Sequence, residues 1–167
     1  MVDGERPEAP LLLLAHHGTP GACAAEQLAY SVARAWQASI LHLLVIPAFW
    51  RDMMGDDWLN NAATRAQFGG YLEQILGAEA QQQLQAVAER CCGQGLAYRS
   101  LLKIGEPTDL LLECVRDEAP AALVLGSPRP KGVPGVRSRI DMPRLMQRSS
   151  IPLLLAPWGW KGNQPFF

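Results

Sequence analysis

The chain has 167 residues, a length typical of a single domain that buries a core of its own. Charged residues make up 19% of the sequence and the formal net charge is −1, so the overall charge does not favour nucleic acid or a membrane surface as a partner. No apolar run approaches the roughly 20 residues of a membrane-spanning helix, and the polar start MVDGERPEAP is unlike a cationic signal peptide. These features predict a cytoplasmic globular protein.

Short apolar runs alternate with helical patterns along the whole chain. In chain order the predicted elements are a strand at 11–15, a helix at 22–38, a strand at 40–46, a loop with one helical turn at 48–67, a helix from Phe68 or Tyr71 to Cys92, a strand at 96–103, a helix that begins near Pro107, a strand at 121–126, a short helix that begins near Asp141 and Pro143, and a strand at 151–156. This alternation predicts an α/β protein with an open, five-stranded parallel sheet and helices on both faces. Ligands bind beyond the carboxyl ends of such strands, which favours the loops at 16–20 and 126–139 as a site.

The cysteines do not follow the spacing of a redox or metal motif. Cys23, Cys91, Cys92 and Cys114 all lie within predicted helices, and no pair forms C-x-x-C. The sequence therefore predicts reduced and mostly buried thiols, with a redox role for the adjacent Cys91 and Cys92 as the alternative.

Five short motifs occur in a fixed order. They are A-H-H-G-T-P after the first strand, L-H-L-L-V-I-P at the second, K-I-G-E-P before the third helix, A-L-V-L-G-S at the fourth strand and I-P-L-L-L-A at the fifth. Together they resemble the universal stress protein family over residues 11–156. The resemblance implies an adenine nucleotide alpha hydrolase-like, Rossmann-like fold with strand order 3-2-1-4-5. It also implies an N-terminal tail at 1–10, one domain at 11–157 and a C-terminal tail at 158–167.

The loop after the fourth strand departs from the family pattern. In nucleotide-binding members it reads G-x-x-G, nine residues, then G-S/T, and holds a triphosphate. Here the first glycine is Gly126, whereas the later positions fall on Arg129, Arg139 and Ile140. Glycines let backbone N–H groups approach an anion closely, and the prolines at 128 and 130 each remove such a donor. The resemblance thus implies a regulatory stress-response protein without turnover, cofactor or standard ATP site.

A side-chain anion site is the alternative. The same loop carries Arg129, Lys131, Arg137 and Arg139, and arginine suits bidentate anion binding. Such a site would bind ATP or AMP with Mg²⁺, a cyclic nucleotide or another anion, whereas a solvated basic loop would bind none. The candidate ligand-binding residues are His16, His17, Gly18, Thr19, Val45, Gly126, Ser127, Arg129, Lys131 and Arg139. The resemblance places His17, or else His16, where the family has a nucleoside-binding Asp, and Val45 at a backbone contact to the base.

The sequence leaves several roles open for the histidines. His16 and His17 follow the first strand, where they would contact a base edge, act in acid–base chemistry or bind a metal with Cys23. Adjacent strand residues point to opposite faces, which favours one backbone-bonded and one partly exposed ring instead. His42 lies inside the second strand and is predicted to be a packed core residue. No catalytic or metal-binding residue is assigned.

Two segments are candidate partner surfaces. The fifth strand should be an apolar sheet edge, and the resemblance implies a homodimer through it. The interface candidates are Ile151, Leu153, Leu154, Leu155 and Trp158. The stretch Trp50–Trp58 is rich in Trp and Met, which is typical of an interface, although packing of these side chains on the core explains it equally well.

Overall fold

A computed structural model of the protein describes residues 8–16, 19–47, 62–135 and 138–162, with backbone alone at 62–69 and 71–73. The strands are β1 (Leu11–Ala15), β2 (Ser39–Pro47), β3 (Tyr98–Gly105), β4 (Ala122–Gly126) and β5 (Leu153–Ala156). The helices are α1 (Pro20–Trp36), α2 (Ala62–Gly93), α3 (Pro107–Glu118) and α4 (Met142–Arg148). The alternating order predicted from the sequence is confirmed.

All five strands are parallel and lie in the order β3-β2-β1-β4-β5. β1 is central, where Leu13 is in register with Leu41 of β2 and Leu123 of β4. β3 and β5 form the two edges. The strand order reverses on either side of β1, so the carboxyl ends of β1 and β4 flank the position where open sheets of this kind bind ligands.

Strand alternation divides the core into two layers. On the first face of the sheet, even-numbered residues such as Leu12, Leu14 and Ile40 pack against α1 and α2. On the second face, odd-numbered residues such as Leu13 and Leu41 pack against α3 and α4. Because successive strand residues point to opposite faces, runs that are apolar throughout suit a sheet covered on both sides. The prediction of helices on both faces is confirmed.

Three helices begin in the same way. A side-chain oxygen of the residue before the helix accepts a hydrogen bond from a backbone N–H of the first turn, and a proline follows within the first two helical positions. The capping residues are Thr19 for α1, Glu106 for α3 and Asp141 for α4. Pro20 therefore lies inside α1, two residues before the predicted start at Ala22.

The other boundaries differ by up to several residues. α2 begins at Ala62, so the predicted loop over 48–67 and the helix start at Phe68 or Tyr71 are wrong in that region. The alanines at 62, 63 and 66 are good helix formers that a search for apolar periodicity overlooks. β3 is shifted two residues toward the C-terminus, and β5 begins at Leu153 rather than Ile151.

Two of the four cysteines are exposed, contrary to the prediction that most are buried. Cys23 and Cys92 face solvent, whereas Cys91 and Cys114 are buried, and all four are free thiols. Within the described ranges, no helix combines the length and hydropathy needed to cross a membrane.

Candidate functional site

Two adjoining cavities open at the carboxyl ends of the central strands. The first has a volume of about 290 Å³ and lies between the ends of β1 and β4. The second has a volume of about 500 Å³ and spans the end of β2. Ala15, Thr19, Ser138 and Ile140 line both cavities, so the two form one crevice. This is the position where a doubly wound sheet binds ligands.

The floor of the first cavity is a close contact between two backbones. A Cβ atom built on Gly126 would overlap the carbonyl oxygen of Gly21 in the first turn of α1. A Cβ atom on Gly21 would in turn lie 3.1 Å from the Ser127 oxygen. The next residue is also fixed, because the Ser127 N–H and hydroxyl donate to the Ala156 oxygen at 2.9 and 2.6 Å. The main chain after β4 is thus bound to both α1 and β5.

The wall of the first cavity carries a cation stacked on an aromatic ring. The Arg129 guanidinium lies 5.1 Å from the centre of the Trp158 ring, a cation–π geometry, and also donates to the Pro134 oxygen. Gly135, with φ of 127°, lies against the same guanidinium and leaves no room for a Cβ atom there. Lys131 lines the same cavity. The structure therefore places Arg129 and Lys131 at the first cavity.

The second cavity is mainly apolar. Its walls come from the end of β2, from one side of α2 and from the start of α3. Val45 and Arg139 both line it, and Arg139 lies on the loop that leads into α4. The arginines at positions 129 and 139 thus lie in different cavities, although the sequence predicts that they share one phosphate position.

The predicted ligand-binding residues fall into five groups. Gly126, Ser127, Arg129 and Lys131 line the first cavity, Val45 and Arg139 line the second, and Thr19 lines both. His16 lines neither cavity. His17 and Gly18, like Arg137, lie outside the described residues.

His16 belongs instead to a buried polar cluster on the first face. Its Nε2 lies 2.9 Å from Glu26 Oε2, and the His16 and Glu26 residues are only 4% and 2% exposed. Arg90 of α2 donates to both oxygens of the same carboxylate, and the Tyr30 hydroxyl donates to Oε1. His16 continues the even-numbered face of β1, which is why its ring points under α1.

The charge state of this cluster follows from its contacts. Burial alone would raise the pKa of Glu26, but the contacts with His16, Arg90 and Tyr30 outweigh it and lower the pKa to about 2. Burial and the bond to Glu26 raise the pKa of Tyr30 far above its ordinary value. Glu26 is therefore a carboxylate and Tyr30 a neutral phenol at any physiological pH.

His42 extends the cluster into the sheet. Burial lowers its pKa to about 4, so the ring is neutral near pH 7. Its Nε2 lies 3.1 Å from the His16 carbonyl oxygen, which can only accept, so Nε2 carries the proton. The unprotonated Nδ1 then accepts from the Tyr98 hydroxyl at 2.8 Å. The prediction that His42 is a packed core residue is confirmed, and its ring is 0% exposed.

Motif analysis does not identify Glu26 and Arg90, the ion pair at the centre of this cluster. Glu26 stands among alanines on a helix face that is otherwise apolar, and an acid on such a face indicates a buried partner. That partner, Arg90, lies 64 positions later in the chain. Among the described residues, no three His, Cys, Asp or Glu side chains group as a metal site would require.

Three of the five candidate interface residues lie on the edge strand β5, and Ile151 and Trp158 do not. β5 is an edge strand as predicted, and Leu155 is 43% exposed there, whereas Leu153 and Leu154 are partly buried. Ile151 lies just before the strand and packs against the core of the second face. Trp158 lines the first cavity, so its ring is part of the crevice.

Sequence comparison finds no matching protein-family model and no matching curated protein. Structural comparison does find matches. A universal stress protein family member from Burkholderia pseudomallei has a TM-score of 0.66 at 17% identity, covering 88% of this chain and 95% of that one. Universal stress protein UspA from Lactobacillus plantarum has a TM-score of 0.64 at 16% identity, covering 89% and 98%. A family member from Arabidopsis thaliana, solved with AMP bound, has a TM-score of 0.60 at 16% identity, covering 89% and 91%.

Proposed function

Because this chain has the fold of the universal stress proteins, we propose that it is a cytoplasmic regulatory binding protein of the stress response, without enzymatic turnover and without the standard triphosphate loop. The absence of the standard triphosphate loop is inferred from how few backbone N–H donors are available after β4. A phosphate-binding loop needs several converging N–H groups. Pro128 and Pro130 have none, and the Ser127 N–H is already bonded to the Ala156 oxygen.

A second candidate function is a sensor for a nucleotide or another anion held by side chains. Arg129 favours it, because its guanidinium is held against Trp158 at the mouth of the first cavity, next to Lys131. Guanidinium groups held in place lose little entropy when they bind an anion. The AMP bound to the Arabidopsis thaliana protein makes AMP and ATP with Mg²⁺ the first ligands to test.

A thermal melt with and without Mg-ATP, ADP, AMP and cyclic AMP separates the two functions. A ligand at a hundred times its Kd adds ~2.7 kcal/mol to the free energy of unfolding, a shift that a melt detects easily. We expect no shift across this panel. A shift that Arg129→Gln abolishes, and that the exposed control Arg116→Gln preserves, would favour the sensor and overturn the first proposal.

We further propose that the protein acts as a homodimer through β5, with its partly exposed leucines as the contact. The segment Trp50–Trp58 lies outside the described residues, and its role as a surface for a protein partner stays a prediction. Deletion of this segment should remove partner capture without changing the oligomeric state, as pull-down and light scattering would report.

A further inference from the structure

We propose that the second cavity binds an apolar carboxylate, with the hydrocarbon body between β2, α2 and α3 and the acid group at Arg139. This proposal names a ligand class for the crevice and rests on the proposed function, a binding protein that does not hold nucleotides in the standard way. Four observations support it: the walls of the cavity, the distribution of charge around it, the anchoring of Arg139, and the loss of nucleoside contacts.

The described walls of this cavity are mostly hydrocarbon. Eleven of the sixteen described residues that line it are apolar, among them Leu44, Val45, Ile46, Leu76, Ala80 and Leu111. The volume, about 500 Å³, lies within the range of roughly 300–1,000 Å³ that small-molecule sites occupy. Such walls favour a ligand body that asks for no hydrogen bonds.

Charge around the cavity is distributed unevenly. Among its described lining residues Arg139 is the one cation, and Glu79 on α2 is the one anion. A carboxylate is attracted to the guanidinium and repelled by Glu79, so a ligand would place its acid toward the loop before α4 and its tail toward α2. A neutral ligand would gain binding free energy only from burial against the apolar walls.

The segment that carries Arg139 is held from its C-terminal side. The N–H of Asp141 donates to the Thr108 hydroxyl at 2.9 Å, and Thr108 is 0% exposed. Ile140, between them, packs against the core of the second face. The main chain beside Arg139 is thus fixed to α3, which limits the ordering that ligand binding must impose.

Two candidate nucleotide contacts at the crevice, His16 and Ser127, direct their polar atoms elsewhere. At the end of β1, the His16 ring faces Glu26 beneath α1 and does not line either cavity. The Ser127 hydroxyl is bonded to Ala156. A base and ribose would bury polar edges against walls that are mostly hydrocarbon, and each edge without a partner costs free energy that an acyl or aryl body does not lose.

Isothermal titration with decanoate and decanol, both below their aggregation limits, tests the proposal directly. We expect decanoate to bind at least tenfold more tightly than decanol. Arg139→Gln should lower the affinity for decanoate to that for decanol and leave the affinity for decanol unchanged. Ala80→Phe should weaken both ligands by filling the cavity, whereas Ala78→Phe, at an exposed position of the same helix, should weaken neither.

The outcomes separate this inference from the proposed function. Equal affinity of wild type and Arg139→Gln for decanoate overturns the acid site. No binding of either ligand to folded wild-type protein overturns the whole inference, while the proposed function stands. AMP that binds and displaces decanoate overturns both, because it would make the crevice a nucleotide site.

Discussion

The carboxylate of Glu26 lies 2.9 Å from the Nε2 of His16, so a buried acid on α1 is joined to the residue that directly follows β1. Arg90 brings α2 to the same carboxylate. Three elements therefore meet at one side chain directly behind the crevice. The cluster holds His16 next to Ala15, which lines both cavities, and so links the stability of the fold to the shape of the site.

Replacing this acid should cost much of the stability. Glu26→Gln replaces one oxygen of a buried, multiply hydrogen-bonded carboxylate by an NH₂ group that faces the donors of Arg90, His16 and Tyr30, and such a mismatch at a buried polar group costs about 1–3 kcal/mol of the free energy of unfolding. Urea unfolding measures the loss. The control is Glu113→Gln, whose carboxylate pairs with Lys103 on the surface and should cost under about 1 kcal/mol. Equal losses in both variants would show that the buried cluster has no special weight.

Acid should destabilise the protein through His42. The pKa of His42 is 6.5 in a model peptide and about 4 in the folded protein, because burial disfavours the charged ring. The unfolded chain therefore takes up a proton below pH 6.5 and the folded protein only near pH 4. Stability is present above pH 6.5 and is lost as the pH falls through this window, by about 1.4 kcal/mol per unit at most.

Urea unfolding of wild type and His42→Gln between pH 7 and pH 4.5 checks this slope. The variant lacks the titrating ring, so its free energy of unfolding should fall less steeply than that of wild type. Glu26 adds its own loss only between its pKa of 4.5 in a model peptide and its pKa of about 2 in the folded protein, below this window. Parallel profiles for the two proteins would contradict the assignment to His42.

Gly126→Ala should destabilise the fold. The new methyl group would overlap main-chain atoms of Gly21, and no change of side-chain rotamer can relieve that overlap. We expect a loss of about 1–3 kcal/mol, measured by thermal and urea unfolding. Gly77→Ala is the matched control, because a Cβ atom there meets nothing within 4 Å on α2, and it should stabilise the protein by about 0.5–1 kcal/mol. Similar stabilities for the two variants would contradict the close approach.

Leu155→Lys should separate the proposed dimer. Leu155 is 43% exposed on the edge strand β5, and a charge there opposes pairing of two apolar edges. Light scattering at micromolar concentration should change from dimer to monomer. Ile104→Lys on the other edge strand, at the same 43% exposure, should leave the mass unchanged. A monomeric wild-type protein would refute the dimer itself.

The fold followed from the sequence because its signals are local. The apolar runs at 11–15 and 40–46 suit strands of a sheet covered on both faces, and prolines mark the starts of α3 and α4. The start of α2 was not predictable in this way, because its first turns lack an apolar stripe.

The site was only partly predictable, because its contacts join distant positions. Loop residues such as Arg129 were found from their spacing relative to Gly126. The stacking of Arg129 on Trp158 and the ion pair of Glu26 with Arg90 depend on chain segments that approach only in the folded protein. His16 directly follows β1 at an even-numbered position. Once the even-numbered residues of β1 are known to face α1, that position is enough to place the His16 ring under α1.

The sequence resemblance places Gly126 at the first glycine of the family's phosphate loop, yet its contact with Gly21 is by itself sufficient reason for a glycine here. A chain of this fold needs this glycine whether or not it binds phosphate, because α1 and β4 could not otherwise approach so closely. A glycine at this position is therefore a marker of shared architecture, and the later positions of the loop are the informative ones for ligand.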